Sequence, residues 1–239
     1  MIDKPSGAYY SDGLNAERLR RCYEIAPPRV QRYFRAEIDF VLRRIRPANQ
    51  VLELGCGYGR AIEPLIGVAD RVVGIDTSVD SLILGAETID QCCLAAMDAG
   101  ELGFSDGSFD VVFCIQNGIS AFGIDRSLLI DEAIRVTRTG GTVLFSSYSH
   151  RFWPERLEWF RIQAAHGLLG EIDEDATGDG VIVCKDGFRS ETVGSGHFER
   201  LVASTGFPFE IVEVDVRRQV LGPPAGRHPI EVVQVRVVA

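Results

Sequence analysis

Apolar positions near the start of the chain recur three and four residues apart. Leu19, Tyr23 and Ile25, then Val30, Tyr33, Phe34, Ile38, Val41, Leu42 and Ile45, mark one side of a helical surface between residues 14 and 46. Pro27-Pro28 interrupts that stripe. Proline cannot donate a helical hydrogen bond and crowds the preceding turn, so the spacing predicts two helical pieces. The period then changes, and short apolar runs alternate with helical patterns. QVLELG is followed by AIEPLIGVA, RVVGID by SVDSLILGAETI, then comes QCCLAAMD; FDVVFCIQN is followed by RSLLIDEAIRVT, and GTVLFSSYS by PERLEWFRIQAAHGLL. This alternation predicts an α/β protein with a mostly parallel sheet and crossover helices on both faces.

The last third breaks the rhythm. EIDEDATGDG is acidic and turn-rich, VIVCKDGFRS predicts a hairpin around Asp186-Gly187, and HFERLVASTG predicts a helix closed by Gly206. FEIVEVDVR and IEVVQVRVVA predict two final strands. Their connector, QVLGPPAGRHP, carries three prolines and two glycines and cannot be a crossover helix, so the two strands are expected to pair antiparallel.

Composition narrows the function classes. The 239 residues are 46% hydrophobic and 25% charged, ordinary values for a soluble domain, and the net charge of −9 would repel a polyphosphate backbone, which argues against nucleic acid as a partner. No apolar run approaches the roughly 20 residues that span a bilayer, and the opening MIDKPSGAYYSDG has no signal-peptide pattern; the expectation is a cytoplasmic protein without membrane contact. Cys22, Cys56, Cys92, Cys93, Cys114 and Cys184 lack CxxC spacing and sit mostly in apolar segments, so they read as reduced core residues, and no metal site is expected.

Candidate chemistry concentrates in VLELGCGYGR. An expected strand ending at Leu54, glycines at 55, 57 and 59, and a helix expected to begin near Arg60 bring bare backbone to the carboxyl edge of the sheet, where open α/β sheets bind ligands. A dinucleotide loop would run G-x-G-x-x-G, but the position three after Gly57 is Arg60. The spacing is instead E-x-G-x-G-x-G. With it, the chain resembles the class I S-adenosylmethionine-dependent methyltransferases of small-molecule type. The resemblance is specific from about Gln50 to Ser147 and includes the approach GELGFSDGSFDVVFCIQN to the fourth strand.

That resemblance implies a Rossmann-like, mostly parallel seven-stranded sheet with a final antiparallel strand. It implies one domain over 1–239, with an N-terminal helical cover (1–46), a cofactor-binding core (47–165), an insertion (166–200) and a C-terminal helix end with the antiparallel pair (201–239). It implies S-adenosyl-L-methionine as cofactor, S-adenosyl-L-homocysteine as product, and contacts from Glu53, Gly55, Cys56, Gly57, Gly59, Asp76, Thr77, Met97, Asp98, Ala99 and Gln116. Asp76 would meet the ribose hydroxyls and Asp98 the adenine amino group, although either acid alone also fits a strand-end cap. The proline-proline-aromatic motif of nucleic-acid amino-methyltransferases is absent from the end of the fourth strand, which points to a small-molecule acceptor.

An amine or a thiol is the favoured acceptor, with positioning as the main catalytic device. Tyr148 and His150 are the candidate catalytic residues; Tyr9, Tyr10 and Asn117 are the candidate substrate contacts. The residues before Leu42 and the insertion from Gly167 to His197 are expected to cover the acceptor site, whose acidic residues Glu171, Asp173, Glu174 and Asp175 would suit a cationic amine. A monomer or homodimer is expected. A dinucleotide-dependent oxidoreductase and a nonenzymatic adenosyl-ligand-binding protein are the alternatives.

Overall fold

The computed structural model describes residues 9–10, 13–214 and 232–238. Two helices, α1 (Ala16–Glu24) and α2 (Pro28–Leu42), precede the sheet, broken where Pro27 and Pro28 were expected to break them. Strands β1 (Gln50–Leu54), β2 (Arg71–Asp76), β3 (Cys93–Ala96), β4 (Phe109–Cys114) and β5 (Thr137–Tyr148) pair in parallel in the order β3-β2-β1-β4-β5. Helices α3 (Val79–Thr88), α4 (Arg126–Arg135) and α5 (Trp153–Ala165) follow β2, β4 and β5. The central strands β1 and β4 are buried almost throughout, as continuous apolar runs covered on both faces must be.

The sheet closes with β8 (Phe209–Val214) and β9 (Val232–Val238). β9 runs antiparallel to β5, from Thr142↔Val238 to Tyr148↔Val232, and β8 pairs antiparallel with β9, which completes the seven-stranded order β3-β2-β1-β4-β5-β9-β8. The proline-rich connector between them lies outside the described residues. The predicted hairpin is also present, as β6 (Val181–Val183) and β7 (Arg189–Glu191), and the predicted late helix is α6 (Ser195–Ala203).

One expected element does not form. AIEPLIGVA is not an α-helix; after the glycine loop the chain makes turns and a single 3-10 segment, Glu63–Leu65. Pro64 has no N–H to give, and Gly67 turns the chain at φ +79°, so too few residues separate these breaks for a stable helix. The apolar spacing instead buries Ala61, Ile62 and Leu65 under a compact turn.

Three apolar clusters result. One lies between the sheet and α4 and α6, and another lies under α2 and the turn at residues 60–69. The third joins α1 and α2 (Leu14, Cys22, Val30, Tyr33, Phe34) to α5 (Trp159, Phe160) and to the inserted arm (Leu169, Ile172, Ile182, Phe188). The segments outside the strand-helix alternation thus pack on each other, beside the carboxyl edge of β4 and β5. No helix among the described residues is long and apolar enough to cross a membrane.

Candidate functional site

β1 ends at Leu54, and the chain then turns through Gly55, Gly57 and Gly59 at φ +72°, +54° and +85°, a region that side chains disfavour. The loop spends its own amides. Gly55 and Cys56 both donate to the Ile75 carbonyl at 2.9 Å, Gly57 donates to Asp76 Oδ2 at 2.8 Å, and Gly59 donates to the Cys56 carbonyl at 2.9 Å. Neighbours also crowd it. A Cβ on Gly55 would stand 2.8 Å from the Phe122 ring, one on Gly57 3.1 Å from Leu19 of α1, and one on Gly59 2.5 Å from Ile89. With those amides engaged and no α-helix behind it, the loop lacks the free donors and dipole that cradle a diphosphate.

Acids flank the loop. Glu53 is 5% exposed, its Oε2 has no hydrogen-bond partner, and burial pushes its carboxyl well above the usual range, against the pull of Arg60 and with a further push from Asp76. Asp76 takes Ser78 N–H on Oδ1 and Gly57 N–H on Oδ2, both at 2.8 Å; burial raises its pKa despite these bonds. Asp98 is exposed, with Gly100 N–H on its Oδ1 at 2.8 Å. The guanidinium of Arg60 stands 4.5 Å over the Tyr23 ring and bonds Gln116 Oε1.

One cleft of about 1310 Å³, its open mouth included, connects these groups to a second wall. On one side lie Glu53, Gly55, Cys56, Gly57, Asp76, Thr77, Asp98 and Gln116; on the other lie Tyr10, Tyr23, Tyr148, Trp159, Phe160, Gln163 and Ser190. The expected set is only partly assembled. Gly59 packs on Ile89, Met97 and Ala99 join the apolar cluster under β3 and β4, and none of the three lines the cleft. Tyr9 is also off the wall: its hydroxyl bonds Asp186, and its ring meets Phe188 edge-on at 5.0 Å.

The two expected catalytic residues separate. Tyr148 lines the cleft, 3% exposed, stacked on Tyr33 at 4.9 Å and beneath the Arg156 guanidinium at 4.7 Å. Burial raises its pKa, and Arg156 only partly offsets that, so the phenol stays protonated. His150 is exposed in a 3-10 turn against Gly180 and Gly194 and does not reach the cleft wall. The cause is geometric: β5 ends at Tyr148, and the chain turns outward through Ser149 before α5 begins. Asn117 does line the cleft, yet its amide is occupied. Nδ2 donates to the Glu191 carbonyl at 2.9 Å, and Oδ1 accepts from Ser147 and Ser120, so Asn117 ties β4 to β5 and β7.

Some of the site lay beyond sequence reasoning. Glu37 of α2 is fully buried behind Gln116; its Oε1 accepts from Tyr33 at 2.9 Å, from Gln116 N–H at 3.0 Å and from Ser146, while Oε2 has no partner. Its carboxyl is raised to about 7, by burial first, with the Ser146 bond and Arg60 opposing. Arg156 and Gln163 were missed as well. The available signal was polar residues at helical spacing within apolar stripes: Glu37 between Tyr33 and Val41, and Arg156 and Gln163 flanking Trp159-Phe160.

A parallel sheet continued by an antiparallel pair in this order, with an acid-flanked glycine loop after β1 that is not built for a diphosphate, is the architecture of a class I methyltransferase. Residues 51–141 match the model of the methyltransferase domain family. The chain is 35% identical over 104 residues to a malonyl-[acyl-carrier protein] O-methyltransferase of Erwinia billingiae, covering 44% of this chain and 41% of that protein. It is 32% identical over 112 residues to a demethylmenaquinone methyltransferase of Streptomyces avermitilis, covering 45% and 46%. The chain thus spans less than half the length of these curated relatives. Among solved structures, the magnesium protoporphyrin IX methyltransferase of Synechocystis PCC 6803 with bound S-adenosylhomocysteine superposes over 95% of this chain and 97% of that one, with a TM-score of 0.63 at 16% identity, a likeness of fold.

Proposed function

We propose that this protein transfers a methyl group from S-adenosyl-L-methionine to a small-molecule acceptor, releasing S-adenosyl-L-homocysteine. The observation that carries the reading is the cleft itself. Its loop has spent the amides a dinucleotide would need, while Glu53 Oε2 stands buried and without a partner beside it. That donor set fits the cofactor. Glu53 suits an ammonium group, Asp76 keeps acceptor capacity beyond its two backbone bonds for ribose hydroxyls, and exposed Asp98 suits the adenine edge.

The sulfonium supplies a methyl already activated for in-line displacement, so the chain's task is alignment and exclusion of water. Tyr148, held protonated, donates rather than abstracts, and His150 stands outside, so neither serves as the general base. Asn117 and Glu37 fix the left-handed turn Gln116-Asn117, at φ +57° and +62°, where β4 meets the acceptor half. We further read the N-terminal segment through α2 and the inserted arm as the cover of that half, because Tyr10, Leu14, Leu19 and Ser190 all come from them and line it.

The case for a cationic amine loses its carboxylates. Glu171 pairs with Lys185, Glu174 with Arg161, and Asp173 caps Ala176; none of the three lines the cleft. Calorimetric titration with S-adenosylmethionine and with NAD tests the cofactor, and screening carboxylates, phenols, amines and thiols for S-adenosylhomocysteine release tests the activity. Tight binding of NAD without S-adenosylmethionine binding defeats the reading. Cofactor binding with no turnover across the screen favours the adenosyl-ligand-binding alternative.

A further inference from the structure

The inward face of α5 carries Arg156, Trp159, Phe160 and Gln163, four residues one to two helical turns apart. Arg156 is 0% exposed. Its Nη1 donates to the Gly180 carbonyl at 2.8 Å and Thr192 Oγ1 at 2.7 Å, and its Nη2 to Ser190 Oγ at 2.8 Å and the Ser190 carbonyl at 3.1 Å. All four acceptors are neutral, Nε has no partner, and among the described residues no carboxylate forms an ion pair with this arginine. Burying a cation without a counter-charge is costly.

The cleft wall in front of this charge is a set of donors. Gln163 is 2% exposed and lines the cleft, and its Nε2 has no partner. Ser190 lines the cleft too; because Oγ accepts from Arg156, its own proton is left to donate elsewhere, polarised by the cation behind. The carboxylates of the cleft, Glu53, Asp76 and Asp98, belong to the loop side, whereas the donor side is framed by the rings of Tyr10, Tyr148, Trp159 and Phe160.

We propose that the acceptor half of the cleft takes a flat, apolar molecule bearing an anionic oxygen group, which Gln163 and Ser190 hold in front of the buried charge of Arg156. The proposal rests on the methyltransferase reading only in naming this ligand the acceptor. An anion there supplies the acceptors that Gln163 Nε2 and the Ser190 hydroxyl lack, and gives Arg156 a counter-charge through Ser190 at the moment of binding. A cationic amine would meet donors and a like charge.

The test is calorimetry on protein saturated with S-adenosylhomocysteine, using 2-naphthoate, 4-nitrophenolate, 2-naphthamide and 2-naphthylmethylamine as probes. At least one anion is expected to bind about tenfold or more tightly than the amide and the amine, as charge-assisted hydrogen bonds allow. The comparison of naphthoate with nitrophenolate distinguishes a carboxylate from a phenolate. Gln163→Met is expected to weaken that anion about fivefold or more while leaving S-adenosylhomocysteine affinity and melting temperature unchanged; Ser190→Ala, which also takes an acceptor from buried Arg156, is expected to weaken the anion as much and leave S-adenosylhomocysteine affinity unchanged, at a lower melting temperature. Equal or tighter binding of the amine or amide, no binding of either anion, or parental anion affinity in both variants overturns the proposal, leaving Arg156 a pin for the β6–β7 arm. If S-adenosylhomocysteine itself fails to bind, the methyltransferase reading falls, and the same panel on the ligand-free protein still decides the anion preference.

Discussion

At the residue scale, the two carboxylates that matter most serve two ends at once. Asp76 faces the cleft, yet both its oxygens already hold the loop through Gly57 and Ser78. Asp76→Ala therefore removes a ligand acceptor and also releases two loop amides. S-adenosylmethionine affinity is expected to fall tenfold or more, about 1.5–3 kcal/mol for charge-assisted bonds, and calorimetry giving parental affinity would remove Asp76 from the site. Glu37 makes a pH prediction. Its folded pKa of about 7 lies above the unfolded value of 4.5, so the folded state binds the proton more tightly and stability is lost as pH rises from about 4.5 to 7. The full cost above that window is on the order of 3 kcal/mol. Glu37→Gln keeps an acceptor for Tyr33, Ser146 and the Gln116 amide but cannot ionise. Melting curves are expected to shift in its favour from pH 5 to pH 8; a gap independent of pH refutes the buried-ionisation account.

At the element scale, α1 is fastened to three separate parts of the fold. Ala16 N–H donates to Ser81 of α3 at 2.8 Å, Arg18 reaches the Gly167 and Leu168 carbonyls, and Trp159 of α5 donates to the Cys22 carbonyl at 2.9 Å. Leu19 then rests against Gly57. The start of α1 thus touches both the glycine loop and the inserted arm, which supports the proposed cover. Deleting residues 1–13 removes Tyr10 from the wall and Tyr9 from Asp186 and Phe188, while α1 and its three fastenings stay. Turnover is expected to drop much further than cofactor affinity or melting temperature. Full activity in the truncated protein, with whichever acceptor the screen identifies, excludes the terminus from the cover.

At the scale of the whole molecule, two regions of different construction meet at one cleft. The loop side is backbone held by the Ile75 and Cys56 carbonyls and the Asp76 carboxylate, whereas the opposite side is assembled from α1, α2, α5 and the inserted arm through aromatic packing: Phe34 on Trp159 at 5.2 Å, Phe160 on Phe188 at 5.6 Å. Cofactor bound against Gly57 adds contacts to the helix that Leu19 anchors. Hydrogen exchange is therefore expected to slow across Ala16–Glu24 as well as in residues 55–60 when S-adenosylhomocysteine is added. Protection confined to the loop would mean that α1 is not part of the closed site.

The sequence by itself determined the alternation of strands and helices, the antiparallel final pair and the glycine loop that carries the methyltransferase resemblance, because period, proline position and glycine spacing act within a few residues of themselves. It misread AIEPLIGVA, where the same apolar spacing serves a buried turn. Periodicity reports which positions are buried but not what they are buried against, and the family resemblance assigned Gly59, Met97 and Ala99 to the cofactor although none of the three lines the cleft. Only the tertiary structure decided that Tyr148 enters the cleft and His150 does not, that Asn117 is spent on the scaffold, and that Glu37 of α2 and Arg156 and Gln163 of α5, far from it along the chain, are buried around the same cleft. Those outcomes depend on how α2, α5 and the inserted arm pack against the ends of β4 and β5, contacts between residues from 24 to 109 positions apart, and no local pattern encodes the direction in which a buried charge points.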